Sequence, residues 1–170
     1  MMDRPSAAPD RLHSLPVYRE PVPRQAARRH LVVRQSTTLG TAFVEGLEQP
    51  LLLNAQGRDF PSRLTNLLAD ATVGCHLYIL GDETFLWLVH GQARGAGLHD
   101  DEIDMTLCTP GSRRVYCVHC GLTQAASAAD RLHCIGCQVQ LGIRAHFSKR
   151  LGAYLGVCDD ADHPYAGAGS

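Results

Sequence analysis

Two short cysteine pairs constrain this chain more than any other feature. Cys117-Val118-His119-Cys120 and Cys134-Ile135-Gly136-Cys137 are C-x2-C knuckles, with 13 residues between Cys120 and Cys134. A knuckle turns the backbone tightly enough to aim two thiolates at one ion. Two knuckles supply the four sulfurs of a tetrahedral site with bonds of about 2.3 Å. The spacing predicts a zinc ribbon, with Cys117, Cys120, Cys134 and Cys137 as the ligands. Four thiolates close the coordination sphere, so the metal is expected to be structural. Iron, held as in a rubredoxin, is the alternative that soft ligands leave open. His119 and His133 stand beside ligands and are read as bystanders. Gly121 and Gly136 occupy positions where knuckle backbones often take a positive φ. A region of this size builds little core, so loss of the metal is expected to unfold it locally.

The remaining thiols bear on the compartment. The chain has seven cysteines, an odd number, and Met1 to Pro23 is polar and proline-rich with no apolar leader segment. A reducing, cytoplasmic setting is therefore expected, with thiols rather than disulfides. Cys75, Cys108 and Cys158 are read as buried structural thiols. A formal net charge of -1 argues against a generally basic nucleic-acid binder. No apolar run approaches the ~20 residues that span a bilayer.

Composition divides the chain further. Residues 1–29 hold five of the nine prolines and are expected to be disordered over the first fifteen positions. Pro16–Pro23 reads as an extended arm, with Leu15, Val17, Tyr18 and Val22 able to lie on a partner. Residues 30–109 alternate strand and helix patterns: strands at His30–Arg34, Leu51–Asn54, His76–Leu80 and Asp101–Cys108, helices at Thr37–Gln49, Ser62–Asp70 and Glu83–Gly97. The stripe Phe85, Leu86, Val89, Ala93 and Ala96 marks the last of these helices. The alternation predicts an α/β domain on a small parallel sheet, one face or edge of which needs covering. Residues 110–158 form the zinc-ribbon domain, and 159–170 a flexible tail. Phe147, Leu151 and Leu155 are spaced for one face of a helix.

Catalytic fingerprints are missing from the sequence. There is no P-loop, no G-x-G-x-x-G opening a helix, no G-x-S-x-G and no H-E-x-x-H. His90 and His99 flank the Glu83–Gly97 helix and pair with no visible nucleophile. The stretch His76 to Glu83, the helix after it, and Gly97 to Ile103 resemble the last βαβ unit of ferredoxin–NADP reductase nucleotide domains. Gly81 matches that family's strand-end motif, whereas Leu80 and Asp82 stand where it has cysteine and proline. The glycine-rich turn that would cradle a pyrophosphate is absent. Asp82 and Glu83 put carboxylates at a helix N-terminus, which opposes anion binding there.

A broader resemblance rests on three segments: Pro23-x4-Arg28-Arg29-His30-Leu31-Val32-Val33, Val115-Tyr116-Cys117-Val118-His119-Cys120, and the block from His146 to Val157 (HFSKRLGAYLGV). Together they resemble the small subunit family of bacterial dimethylamine monooxygenase, the haem-dependent oxidative N-demethylase system. The resemblance covers roughly residues 16–160. It implies a multi-subunit enzyme that uses NADPH and O2 to convert dimethylamine to methylamine and formaldehyde. It places haem in a PAS-like catalytic partner, and flavin (FMN) and a [2Fe–2S] cluster in a reductase partner. This chain would be a non-catalytic scaffold carrying zinc. Within the block, His146, Lys149, Arg150 and Tyr154 are the polar candidates, and Lys149 and Arg150 suit an acidic partner patch. Two alternatives stand beside this reading: a zinc ribbon that binds nucleic acid, and a rubredoxin-like electron carrier.

Overall fold

The computed structural model describes residues 15–127, 129–160 and 162. Two compact units result, one built chiefly from Val17–Arg114 and the other from Val115–Gln124 and the described residues from Asp130 onward.

In the first unit the chain runs β1 (Arg29–Arg34), α1 (Thr41–Glu45), β2 (Leu51–Asn54), α2 (Phe60–Ala69), β3 (Cys75–Gly81), α3 (Glu83–Gly95) and β4 (Ile103–Leu107), with a 3-10 turn at Asp100–Glu102 before β4. The strands form one parallel sheet in the order β2-β1-β3-β4, with Val32 beside Leu52 and Tyr78, and Ile79 beside Met105. Every residue of β3 is buried, as an apolar run in a central parallel strand requires. Alternation along the strands then gives the two faces different characters. Leu31, Val33, Leu77, Ile79 and Ile103 face Leu64 and Leu68 of α2 and Leu86, Val89 and Ala93 of α3. This is the main core. The opposite face is thinner: Val32, Tyr78 and Leu80 pack with Leu47, Leu39, Phe43 and Val44.

Helix α1 is much shorter than the helix expected over Thr37–Gln49. Gly40 is left-handed (φ 61) and the Leu39 N–H bonds back to the Ser36 carbonyl as a turn, so helical geometry starts only at Thr41. Helix α2 begins at Phe60 rather than Ser62, with Pro61 in its first turn, where a missing N–H costs nothing. Helix α3 follows the expected stripe except at its end: Trp87 is buried and Ala96 is exposed. Its start is set by Asp82, whose Oδ1 accepts the Phe85 N–H at 2.8 Å.

The arm at residues 15–28 lies on its own sheet. The Tyr18 hydroxyl accepts from the Trp87 indole N–H at 2.8 Å and donates to Glu83. Thr106 donates to the Arg19 carbonyl, the Arg24 guanidinium grips Asp104 through two bonds of 3.0 and 2.9 Å, and the Arg24 N–H reaches the Tyr78 hydroxyl. These contacts shield the β4 edge and part of the thin face. Of the four apolar arm residues, only Tyr18 is taken up in this way; Leu15, Val17 and Val22 are exposed. The expected disorder of the first fifteen positions lies outside the described residues apart from Leu15, and so does most of the expected flexible tail.

The second unit contains β5 (Arg113–Cys117), β6 (Thr123–Ala126), β7 (Arg131–His133), β8 (Gln140–Ser148) and β9 (Ala153–Cys158) in a curled sheet of order β6-β5-β9-β8-β7. β5 runs parallel to β9, while β9 with β8 and β8 with β7 are antiparallel. The helix suggested by Phe147, Leu151 and Leu155 is instead the β8–β9 hairpin. Gly152 is left-handed (φ 58), which ends any helix, and Phe147 sits across from Tyr154 with ring centroids 5.0 Å apart. Gly156 is required by close approach: a Cβ there would meet Val115 Cγ1 at 2.8 Å and Leu141 Cδ1 at 3.0 Å.

Candidate metal centre

The two knuckles are built alike. In the first, the Cys117 N–H bonds to the Leu122 carbonyl at 2.8 Å, and the Gly121 N–H bonds back to the Cys117 carbonyl at 2.9 Å. In the second, the Cys134 N–H bonds to the Val139 carbonyl and the Gln138 N–H to the Cys134 carbonyl, both at 2.9 Å. The residue four places after the first cysteine must therefore turn left-handed in each. Gly121 does so at φ 78, and Gln138 at φ 61. The positive φ expected of Gly136 falls on Gln138 instead. Gly136 is in a tight place for a different reason, since a Cβ would crowd Leu122 Cδ2 at 3.1 Å and touch Cys120 Sγ at 3.5 Å.

These turns bring Cys117, Cys120, Cys134 and Cys137 together, with all four sulfurs within 4.8 Å of one another. Cys117 Sγ is 3.8 Å from Cys137 Sγ, and Cys120 Sγ is 3.5 Å from Cys134 Sγ. A tetrahedral ion with bonds of about 2.3 Å needs sulfurs about 3.8 Å apart, so the donor set can hold a metal ion of zinc's size. His119, His133 and Cys158 are not part of the cluster. Cys117 and Cys134 are fully buried, whereas Cys120 is exposed.

Without a cation these thiols are in conflict. Burial pushes the Cys117 thiol up to about 12, against backbone N–H bonds from Cys120 and His119. Burial also acts to raise Cys134, but N–H bonds from Cys137 and Gly136, with thiol hydrogen bonds from Cys120 and Cys137, outweigh it and bring the group to about 7. The backbone thus favours thiolate at one sulfur while burial resists it at another. A divalent ion would resolve this by taking all four as thiolates.

One supporting residue carries no signature in the knuckle spacing. Gln124 is buried, its amide donates to the His133 carbonyl at 3.0 Å, and its oxygen accepts the Ile135 N–H at 2.8 Å. It braces the second knuckle from both sides of Cys134. The other polar candidates lie on the hairpin: His146 is exposed on β8, Lys149 and Arg150 are exposed in the turn, and Tyr154 is half-buried on Phe147. Cys158 is half-buried and donates to the Asp160 carbonyl, Cys75 is buried, and Cys108 is half-buried with its thiol pushed up by burial.

The first unit has the other place where chemistry could be sought, the crevice where strand order reverses between β1 and β3. The chain fills it with its own side chains. The Gln35 amide donates to Asp82 Oδ2 at 2.9 Å and accepts the Asp82 N–H at 2.7 Å. A Cβ on Gly111 would lie 2.9 Å from Asp82 Cβ, and Thr84 donates to the Ser112 carbonyl at 2.8 Å. The helix after β1 is five residues long and Gly40 rests on Leu80, so nothing resembles a phosphate cradle. Asp82 spends its carboxylate capping α3 and holding Gln35. His90 packs edge-on against Trp87 and bonds to Asp100 at 3.2 Å, and the His99 N–H is capped by Glu102.

Residues 114–157 match the family described as dimethylamine monooxygenase subunit DmmA-like, C-terminal domain. The chain is 43% identical over 178 residues to the heme-dependent oxidative N-demethylase delta subunit of Ectopseudomonas mendocina (strain ymp), covering 95% of this chain and 97% of that protein. It belongs to that subunit family. The relationship spans both units, whereas the matched family domain covers the knuckles and the β8–β9 hairpin. No solved structure matches. Among the described residues no helix is long and apolar enough to cross a membrane.

Proposed function

We propose that this chain is a non-catalytic docking subunit of a cytoplasmic, multi-subunit dimethylamine monooxygenase. The enzyme would use NADPH and O2 to N-demethylate dimethylamine to methylamine and formaldehyde. The reading rests above all on identity of 43% across nearly the whole length of an oxidative N-demethylase subunit. Haem in a PAS-like catalytic subunit, with FMN and [2Fe–2S] in a reductase subunit, would carry the chemistry.

Two features support a scaffold role for this chain. The crevice of the parallel sheet is closed by the Gln35–Asp82 pair. The four sulfurs, once bound to an ion, leave it no open position for substrate. Cys117, Cys120, Cys134 and Cys137 would hold Zn(2+), which ties β5 to the segment between β7 and β8 and so holds the hairpin in place.

The test is elemental analysis and a visible spectrum on the chain purified alone and after coexpression with the other enzyme subunits. The expected result is one zinc per chain, no colour alone, and haem and flavin colour only in the complex. Stoichiometric iron with thiolate-to-iron bands in the lone chain would instead make it part of the electron path. Failure to copurify with the other subunits would remove the docking role.

A further inference from the structure

We propose that the turn end of the β8–β9 hairpin is an electrostatic docking surface for an acidic face of a partner protein subunit. This rests on the subunit reading above and names the surface and its chemistry.

The observation is a segregation of charge produced by an irregular strand pair. Along β8 and β9 the register passes from Ile143 opposite Gly156 to Phe147 opposite Tyr154. Arg144, Ala145 and His146 therefore face the single residue Leu155, and all three are exposed. A bulge of this kind redirects side chains. It is anchored on the turn side, where Phe147 is buried and packs edge-on against Tyr154. Beyond Ser148 the turn adds Lys149 and Arg150, both exposed.

From Arg131 to Cys158 the sequence contains no aspartate or glutamate. Among the described residues no carboxylate pairs with Arg144, Lys149 or Arg150. The acids of this unit gather at the other end of the hairpin: the Asp159 N–H bonds to the Gln140 carbonyl and its carboxylate pairs with Arg131 at 2.9 Å, with Asp160 and Asp162 just beyond. Asp130 is nearer the bulge, and its carbonyl accepts the Ile143 N–H. A chain of net charge -1 thus carries a local cationic end on a fixed platform. Such a patch steers and orients an acidic protein partner. Nucleic acid fits less well, because Phe147 is buried and Tyr154 is half-buried against it, so neither of these two rings is free to stack on bases.

The test compares three full-length chains: wild type, Arg144→Glu/Lys149→Glu/Arg150→Glu, and a charge-matched control, Arg19→Glu/Arg29→Glu/Arg58→Glu. Each is assayed for association with the other enzyme subunits across a salt series, after zinc content and melting temperature are shown to match. Loss of about tenfold or more in association rate at low salt, with a flattened salt dependence in the hairpin variant only, supports the proposal. Wild-type assembly with an unchanged hairpin variant overturns the docking surface and leaves the subunit reading intact. No assembly by wild type overturns both. Salt-steep wild-type binding to a DNA or RNA duplex, lost in the hairpin variant, overturns it in favour of nucleic acid.

Discussion

The two units hold themselves together by different means. The parallel-sheet unit buries a continuous apolar cluster between strands and helices, from Leu31 through Leu86 to Ile103. In the knuckle unit the corresponding cluster is Cys117, Cys134, Val139 and Leu141, so half of it consists of sulfurs from the candidate metal centre. A core of that size stabilises little without help, whereas a bound ion contributes folding free energy directly. One unit is closed by hydrophobic burial; the other, on the proposed reading, would be closed by coordination, and each should then fail in its own way.

The largest expected effect separates them most clearly. Cys134→Ser removes a fully buried sulfur. Zinc content should fall from one per chain to near zero, with residues 115–158 becoming protease-sensitive while the sheet unit stays resistant. Leu86→Ala is the converse experiment. Leu86 is 0% exposed, so truncation should cost about 2–5 kcal/mol by chemical denaturation and leave zinc stoichiometry unchanged.

A smaller effect concerns the arm. Tyr18→Phe removes the hydroxyl that links Trp87 and Glu83. It should cost about 1 kcal/mol and speed proteolytic cutting between Pro16 and Pro23, with the knuckles untouched.

The arm's other anchor, Arg24 on Asp104, supplies a pH dependence. Burial holds His76 below its usual range despite its bond to Asp104. Burial alone would raise Asp104, but hydrogen bonds from Arg24 and His76 bring it below the ordinary carboxylate value. In both cases the unfolded chain binds protons more readily than the folded one. Stability of the sheet unit should therefore fall as pH drops below about 6.5, first through His76 and at lower pH through Asp104. Urea titrations from pH 7.5 to 4 should show this, and His76→Gln should flatten the upper part of the profile.

Much of the sheet unit is legible in the sequence. Its central strand is a run of apolar residues, and α3 has an apolar stripe with Asp82 at its cap. Pattern and structure part where local geometry competes with spacing. Leu39, Ala42, Phe43 and Leu47 have helical intervals, yet left-handed Gly40 lets only Thr41–Glu45 coil. Phe147, Leu151 and Leu155 share an i, i+4, i+8 pattern, but a left-handed Gly152 and an aromatic cross-strand pair make a hairpin. The convergence of the four cysteines is legible because C-x2-C spacing encodes it directly. Gln124 is not, because its role depends on bonds to His133 and Ile135 that no local pattern announces.

The smallest prediction sharpens the likeness between the knuckles. Gly121 and Gln138 share a left-handed backbone position. Gly121→Ala should destabilise the metal-bound unit by about 1 kcal/mol, whereas Gln138→Gly should change it by less than about 0.5 kcal/mol, since relief of φ strain offsets added chain entropy. Thermal melts of the zinc-loaded variants would distinguish the two.

The contrast itself is tested most directly by hydrogen exchange on the full-length chain, metal-loaded and then stripped with a chelator. The account predicts loss of protection confined to residues 115–158, with β1, β3 and α3 unchanged. Retained protection across the knuckles and the β8–β9 hairpin after complete metal removal would contradict it.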